Sequence, residues 1–208
     1  MDDFAERLAD ATPTPGGGAA AARVGVYACS LIRMVTGITL KKIAEGKVPT
    51  TPDVPRIALA QTAAIELSQR FSRLEIEDMA AFQSYLDALR LPRSSDEEKA
   101  RRLHARQQAA WRATQAPLDT LRAALEALGV CQTLIELSKS TPLKAESDLG
   151  AAVELAQAVF RVAQLNIRVN LSELSDEHGK LAVKEWERLK AQMEPLYRAC
   201  SAPFCAVP

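Results

Sequence analysis

The residue best placed for proton transfer in this 208-residue chain is an aspartate that interrupts an apolar helical stripe. Asp78 continues a run of Ile57, Ala60, Ala64, Leu67, Phe71 and Leu74, whose alternating steps of three and four mark a helix packed against neighbours at small crossing angles. A carboxyl on such a face loses water. Desolvation disfavours its charged form and raises its pKa toward the range where it can accept and return protons near neutrality. An aspartate in a polar gap, or paired with an arginine for structural reasons, would give the same pattern.

A second candidate is Pro15-Gly16-Gly17-Gly18, which opens directly onto an apolar helix. Bare backbone N–H groups and the positive end of the helix dipole there suit an anion or a carboxylate. It is not a nucleotide-binding P-loop, because no Lys-Ser/Thr follows and no strand precedes it. The glycines would also serve if they only permitted a tight turn or a close helix approach. Asp148, Asn166 and Asn170 form a third group. Its two asparagines lie one helical turn apart, spaced either to meet the edge of a heterocycle or to fix helix register. Lys41 and Lys42 close the apolar helix, where cations complement the dipole or meet an anionic tail. The basic run Lys99, Arg101, Arg102 and Arg106 reads as an exposed helical face, with Arg102 the member to follow. His104 and His178 lie in charged surroundings, the latter beside Gly179 as a loop or cap residue, and neither is a catalytic candidate.

Helices must position these groups, since nearly every segment carries helical period and none alternates like a strand. The predicted order is a short helix from Asp2 to Asp10, a long apolar helix to about Glu45, and a third of roughly fifty ångströms reaching Leu91-Pro92. A fourth begins at Asp96 behind the capping-box pair Ser95 and Glu98 and runs to about Pro117, which kinks or restarts it into a further helix from Leu118 to Leu137. Ser147 or Asp148 is expected to cap the next helix, whose seam of Leu149, Val153, Ala156, Phe160, Ala163 and Ile167 reaches Asn170. A last helix covers Asp176 to Cys200, followed by an irregular tail. The expected architecture is an all-α, elongated helical bundle in one domain spanning 1–208, of the kind that shares apolar faces with a second subunit.

Composition agrees with a globular chain: 48% hydrophobic, 25% charged, with Lys+Arg and Asp+Glu balanced at 26 each. No net field draws it to nucleic acid or an anionic membrane. The stretch from Ala19 to Leu40 is long enough to span a bilayer but carries Arg23 and Arg33, so a buried core helix is expected. The N-terminus lacks a secretory pattern. The four cysteines, Cys29, Cys131, Cys200 and Cys205, show no zinc-ligand spacing, which together predicts a cytoplasmic protein without a metal site.

The ordered set Thr12-Pro13-Thr14-Pro15-Gly16-Gly17-Gly18, Met34-Val35, Thr39 through Lys42, Asp78 with Ala81-Phe82, Leu91-Pro92, Glu97-Glu98-Lys99, Arg102, Pro117-Leu118, Ser147-Asp148 and Asn166-Ile167-Arg168-Val169-Asn170-Leu171 resembles the cyclodeaminase/cyclohydrolase family, over about residues 4–176. Three places depart from the usual pattern: Ala19 stands where serine commonly follows the glycines, Ile38-Thr39 stands for a Leu-Thr pair, and Pro142-Leu143-Lys144-Ala145-Glu146 precedes Ser147. The resemblance implies a homodimer that acts on a tetrahydrofolate derivative with no further cofactor. It implies Asp78 as proton acceptor. Gly16, Gly17, Gly18, Lys41 and Arg102 would hold the substrate's carboxylates, Asn166 and Asn170 would meet its pterin or bridge region, and Pro15 and Asp148 would also line the substrate site. The reaction would be hydrolysis of 5,10-methenyltetrahydrofolate to the 10-formyl form, or closure of 5-formiminotetrahydrofolate with loss of ammonia. Lack of a fused transferase segment in this sequence tilts the expectation to the former. A non-catalytic folate-binding or interaction protein of the same fold is the alternative.

Overall fold

The computed structural model describes residues 3–205. Its elements are α1 (Asp3–Ala9), α2 (Gly17–Ala44), α3 (Val54–Leu89), α4 (Asp96–Leu137), α5 (Glu146–Asn170), a 3-10 turn (Leu171–Glu173) and α6 (Asp176–Cys205), with no strand among the described residues. The expected first helix is seen from Asp3, and Asp2 lies outside the described residues. Helices α2 to α5 form a ring in which α2 and α4 each pack on both α3 and α5, while α6 lies across α4 and α5. Short connections make successive helices antiparallel. The start of α2 therefore lies at the same end of the bundle as the end of α3 and the end of α5.

Every member of the α3 stripe from Ile57 to Leu74 is buried. Small residues on α2 let the helices approach: a methyl on Gly25 would fall 2.5 Å from the Phe71 ring, so α3 lies against the bare backbone. By length and composition α2 would cross a membrane. In the fold it is the bundle's central wall, with Ile32, Val35, Thr36 and Thr39 fully enclosed.

Three expectations about boundaries are corrected. Pro117 does not restart its helix, and α4 runs unbroken from Asp96 to Leu137. The proline cannot donate to the Ala113 carbonyl one turn back, and the Asn170 side chain fills that place, its Nδ2 donating to Ala113 O at 2.8 Å. Asn170→Ala should therefore cost about 1–3 kcal/mol by leaving a carbonyl unpaired. The loss should shrink in a Pro117→Ala background, where the main-chain bond returns. Denaturant melts of the two single variants and the double variant read the coupling.

Neither Ser147 nor Asp148 caps α5. The chain enters from Ala145 at φ 61 and ψ 49, and both residues lie inside the first turn. Lys144 N–H donates to Thr39 Oγ1 at 3.0 Å, and the Ala145 carbonyl accepts from Asp148 N–H at 3.1 Å, so tertiary contacts fix the entry. Holding an alanine in the left-handed region costs about 1–2 kcal/mol. Helix α6 also continues past Cys200 to Cys205, with the Phe204 ring against Gly150, where a methyl would fall 3.0 Å from it. Residues 206–208 of the expected tail lie outside the described residues. His178 is neither loop nor cap: it sits in the first turn of α6, stacked on Trp111 at 4.4 Å with the rings 7° apart.

Candidate functional site

Helix α2 starts without a side-chain cap, because its N-cap residue is Gly16. The orphan N–H groups of its first turn need acceptors. Asp78 supplies one from across the bundle by accepting a hydrogen bond from the Ala19 main-chain N–H. The donor is backbone, so it survives the departure to alanine at this position. The carboxylate lies flat on Gly18, where an added methyl would fall 2.1 Å from its Oδ1. Only glycine leaves that space. Burial lifts the Asp78 carboxyl above the ordinary carboxylate range, and the Ala19 bond offsets part of the rise.

Gly17 faces the other wall, where a methyl would meet Asn166 Oδ1 and Val162 at 4.0 Å, an ordinary contact. Asn166 steadies itself with a bond from Nδ2 to Val162 O at 3.3 Å. The structure thus gathers Pro15, Gly16, Gly17, Gly18, Asp78 and Asn166 at one helix start, Pro15 being buried behind them. A polar patch of this make-up can bind a ligand through main-chain N–H and an amide edge while one carboxyl moves a proton.

The remaining sequence-predicted residues lie apart from this patch within the chain. Lys41 is about 35 Å from Gly18 along α2, and Asp148 about 27 Å from Asn166 along α5, at 1.5 Å per residue. Arg102 Nε and Nη2 donate to Leu89 O at 3.2 and 2.9 Å, closing the end of α3 about 16 Å beyond Asp78. Asn170 is the main-chain clamp described above. Ser95 and Glu98 form the expected reciprocal capping box on α4.

Two clusters next to Asp78 were not singled out from the sequence. On one side Arg23 grips Glu75 with Nε at 2.9 Å and Nη2 at 2.6 Å, and its guanidinium lies 4.0 Å over the Phe4 ring. Glu75 is nearly buried, at 8% exposure, one turn before Asp78. Part of the signal is in the sequence: Arg23 breaks the apolar stretch of α2, and Glu75 follows Leu74 of the α3 stripe. On the other side Phe82 and Tyr85 follow Asp78 along α3, and the Tyr85 hydroxyl shares hydrogen bonds with Glu173 and Arg106. Arg106 Nη2 donates to Glu173 Oε2, and this holds the Glu173 carboxyl below the usual range. Nothing in sequence spacing ties residues 85, 106 and 173 together.

Burial pushes the Cys29 thiol up to about 12 and Cys200 to about 11, so neither is a nucleophile at neutral pH. Among the described residues no three His, Cys, Asp or Glu side chains converge as a metal site would require.

Comparison with known proteins places this site in a context. A family model described as formiminotransferase-cyclodeaminase matches residues 1–188. The chain is 33% identical to a methenyltetrahydrofolate cyclohydrolase of Methylorubrum extorquens, over 92% of this chain and 89% of that protein. It is 27% identical to the formimidoyltransferase-cyclodeaminase of Sus scrofa over 88% of this chain, which spans only 32% of that longer protein. The crystal structure of a formiminotetrahydrofolate cyclodeaminase from Thermotoga maritima superposes with a TM-score of 0.80 at 29% identity, covering 97% of this chain and 93% of that one.

Proposed function

This chain belongs to the formiminotransferase-cyclodeaminase family, and from that premise we propose that it is an enzyme acting on the one-carbon bridge of a tetrahydrofolate, with Asp78 as proton acceptor. The observation that carries the reading is the Asp78 carboxyl itself: desolvated, held by Ala19 N–H and laid against Gly18 at an open helix start. A carboxyl with a raised pKa can both take a proton and give it back.

In the hydrolytic direction, water attacks the methenyl carbon between N5 and N10 of 5,10-methenyltetrahydrofolate while Asp78 takes its proton. The tetrahedral adduct then collapses: its hydroxyl proton leaves to solvent as the formyl C=O forms, the C–N5 bond breaks, and the proton on Asp78 passes to N5, leaving 10-formyltetrahydrofolate. In the deaminating direction, N10 of 5-formiminotetrahydrofolate attacks the carbon of the protonated formimino group, whose nitrogen becomes an amino group, and Asp78 takes the N10 proton. Return of that proton to the amino group lets ammonia depart. The carbon keeps its oxidation level in both, so the chemistry calls for no redox group. Asn166 hydrogen-bonds the pterin or bridge, a role supported by its approach to Gly17, and the uncapped main-chain N–H groups at the start of α2 serve the same ligand. With each folate supplied in turn, methenyl absorbance should fall faster than the uncatalysed rate from the methenyl form, or rise from the formimino form. No change with either overturns the reading.

The working unit is a homodimer. Along the outer side of α2, Ala20, Val24, Tyr27, Leu31, Met34 and Ile38 repeat the three-four spacing of a second seam, with Tyr27 50% and Met34 39% exposed. A second copy crossing antiparallel would cover this stripe and keep the two Lys41–Lys42 pairs apart. It would also bring Lys41 of the partner subunit toward the glycines of the first, giving a lysine otherwise far from Asp78 a place beside an anionic substrate. Light scattering should report twice the chain mass, and Tyr27→Glu combined with Met34→Glu should halve it. A monomeric wild type contradicts the pairing.

A further inference from the structure

We propose that Arg106, oriented by Glu173 and Tyr85, binds the glutamate carboxylate of the folate while Asp78 addresses its one-carbon bridge. The assignment rests on the folate reading above. Asp78 lies against Gly18 in the first turn of α2, so the α3 residues that follow it, packed on α4, extend beyond the start of α2. Asp78, Phe82 and Tyr85 stand on one face of α3 at spacings of four and three, so Tyr85 lies about 10 Å further along the helix than Asp78. That face matches the order of groups in the substrate: bridge, aminobenzoyl ring, amide, carboxylates. Phe82 is half-buried between the two ends, its ring 6.4 Å from that of Tyr85, where it can meet an aromatic ring.

At the far end, the Arg106 side chain is 30% exposed and donates through Nη2 to Glu173. Its Nε is buried and has no hydrogen-bond partner among the described residues. A buried guanidinium N–H without an acceptor is rare in native proteins, and its shortage is met by a ligand oxygen. Glu173 and the Tyr85 hydroxyl fix the plane of the fork from behind. A carboxylate reaching the exposed part of this side chain would find a preset charge-assisted donor rather than a swinging one. Of the two basic residues the sequence favoured for this task, Arg102 is committed to Leu89 O, and Lys41 is remote within its own chain and in the proposed dimer approaches the glycines rather than the Tyr85 end of α3.

The test compares methenyltetrahydrofolate with methenyltetrahydropteroate, which has the bridge and aminobenzoyl ring but no glutamate. The readout is the ratio of kcat/KM for the two substrates, which general misfolding leaves unmoved. Arg106→Met should shrink the wild-type preference for the glutamylated substrate by roughly 10- to 100-fold, the loss expected for a hydrogen bond to a charged group, carried mainly by KM. Arg106→Lys, which keeps charge without the fork, should recover part of it. An unchanged ratio in Arg106→Met overturns the assignment, whatever happens to absolute rates. If the wild type converts neither, the same ratio is read with 5-formiminotetrahydrofolate and 5-formiminotetrahydropteroate, and only if this pair also fails to turn over does the folate reading fall, and the Arg106 assignment with it.

Discussion

Gly18→Ala should abolish most activity, lowering kcat/KM by about 100-fold, because the new methyl would occupy the place of the Asp78 carboxylate. Its Cβ would fall 2.1 Å from Asp78 Oδ1 and 2.5 Å from Cγ, closer than real carbon contacts come. Something must move. The glycine sits inside α2 with backbone neighbours that cannot retreat, so the aspartate swings away or α3 shifts, and the Ala19 hydrogen bond is lost in either case. Displacing a reacting group by even 1 Å costs on the order of 100-fold in rate. Overpacking should also destabilise the fold by about 1–3 kcal/mol. Gly17→Ala is the internal comparison: its methyl meets Asn166 and Val162 at 4.0 Å, so its loss of activity should be far smaller. Equal losses in the two variants would remove the special role given to the Gly18 face.

Asp78→Asn should lower kcat by about 100- to 10,000-fold, the range expected for losing a positioned proton acceptor, while folate affinity by calorimetry changes little. The same variant should be more stable than wild type at neutral pH. Burial raises the folded-state pKa of Asp78, so the native protein binds this proton more tightly than the unfolded chain does. The stability it contributes is complete below the unfolded value of about 3.9 and is lost as pH rises through the folded value. Ionising the buried carboxylate is a net cost as the pH rises, and an asparagine that still accepts from Ala19 N–H avoids it. Melting curves should show the variant's advantage at pH 7 disappearing as the pH falls toward that of an ordinary aspartate. A variant that melts lower than wild type at neutral pH would mean that Asp78 serves structure more than chemistry.

The helices were legible in the sequence because each rests on a local pattern: the three-four stripe of α3, the Ser95–Glu98 box, and the glycine-opened start of α2. Asp78 and the glycines could be paired as candidates because both interrupt those patterns. What escaped was set by contacts across the bundle. Pro117 has a strong local reading as a break, and only the Asn170 amide from another helix cancels it. Ala145 enters a left-handed turn that alanine itself disfavours, so no cap prediction from Ser147 or Asp148 could find the true start. Arg102 looked like a ligand for carboxylates, yet the chain turn after α3 sets the Leu89 carbonyl within its reach. The Tyr85, Arg106 and Glu173 cluster joins three elements and has no sequence spacing at all.

The acid limb of kcat/KM against pH for methenyl conversion, corrected for the uncatalysed reaction, bears most directly on Asp78 as the proton acceptor. A base whose pKa is lifted by burial loses activity as it protonates, so the limb should lie clearly above the ordinary aspartate value of about 3.9 and be absent from the residual rate of Asp78→Asn. A wild-type profile flat down to that value, or an identical limb in the asparagine variant, would contradict proton transfer by Asp78.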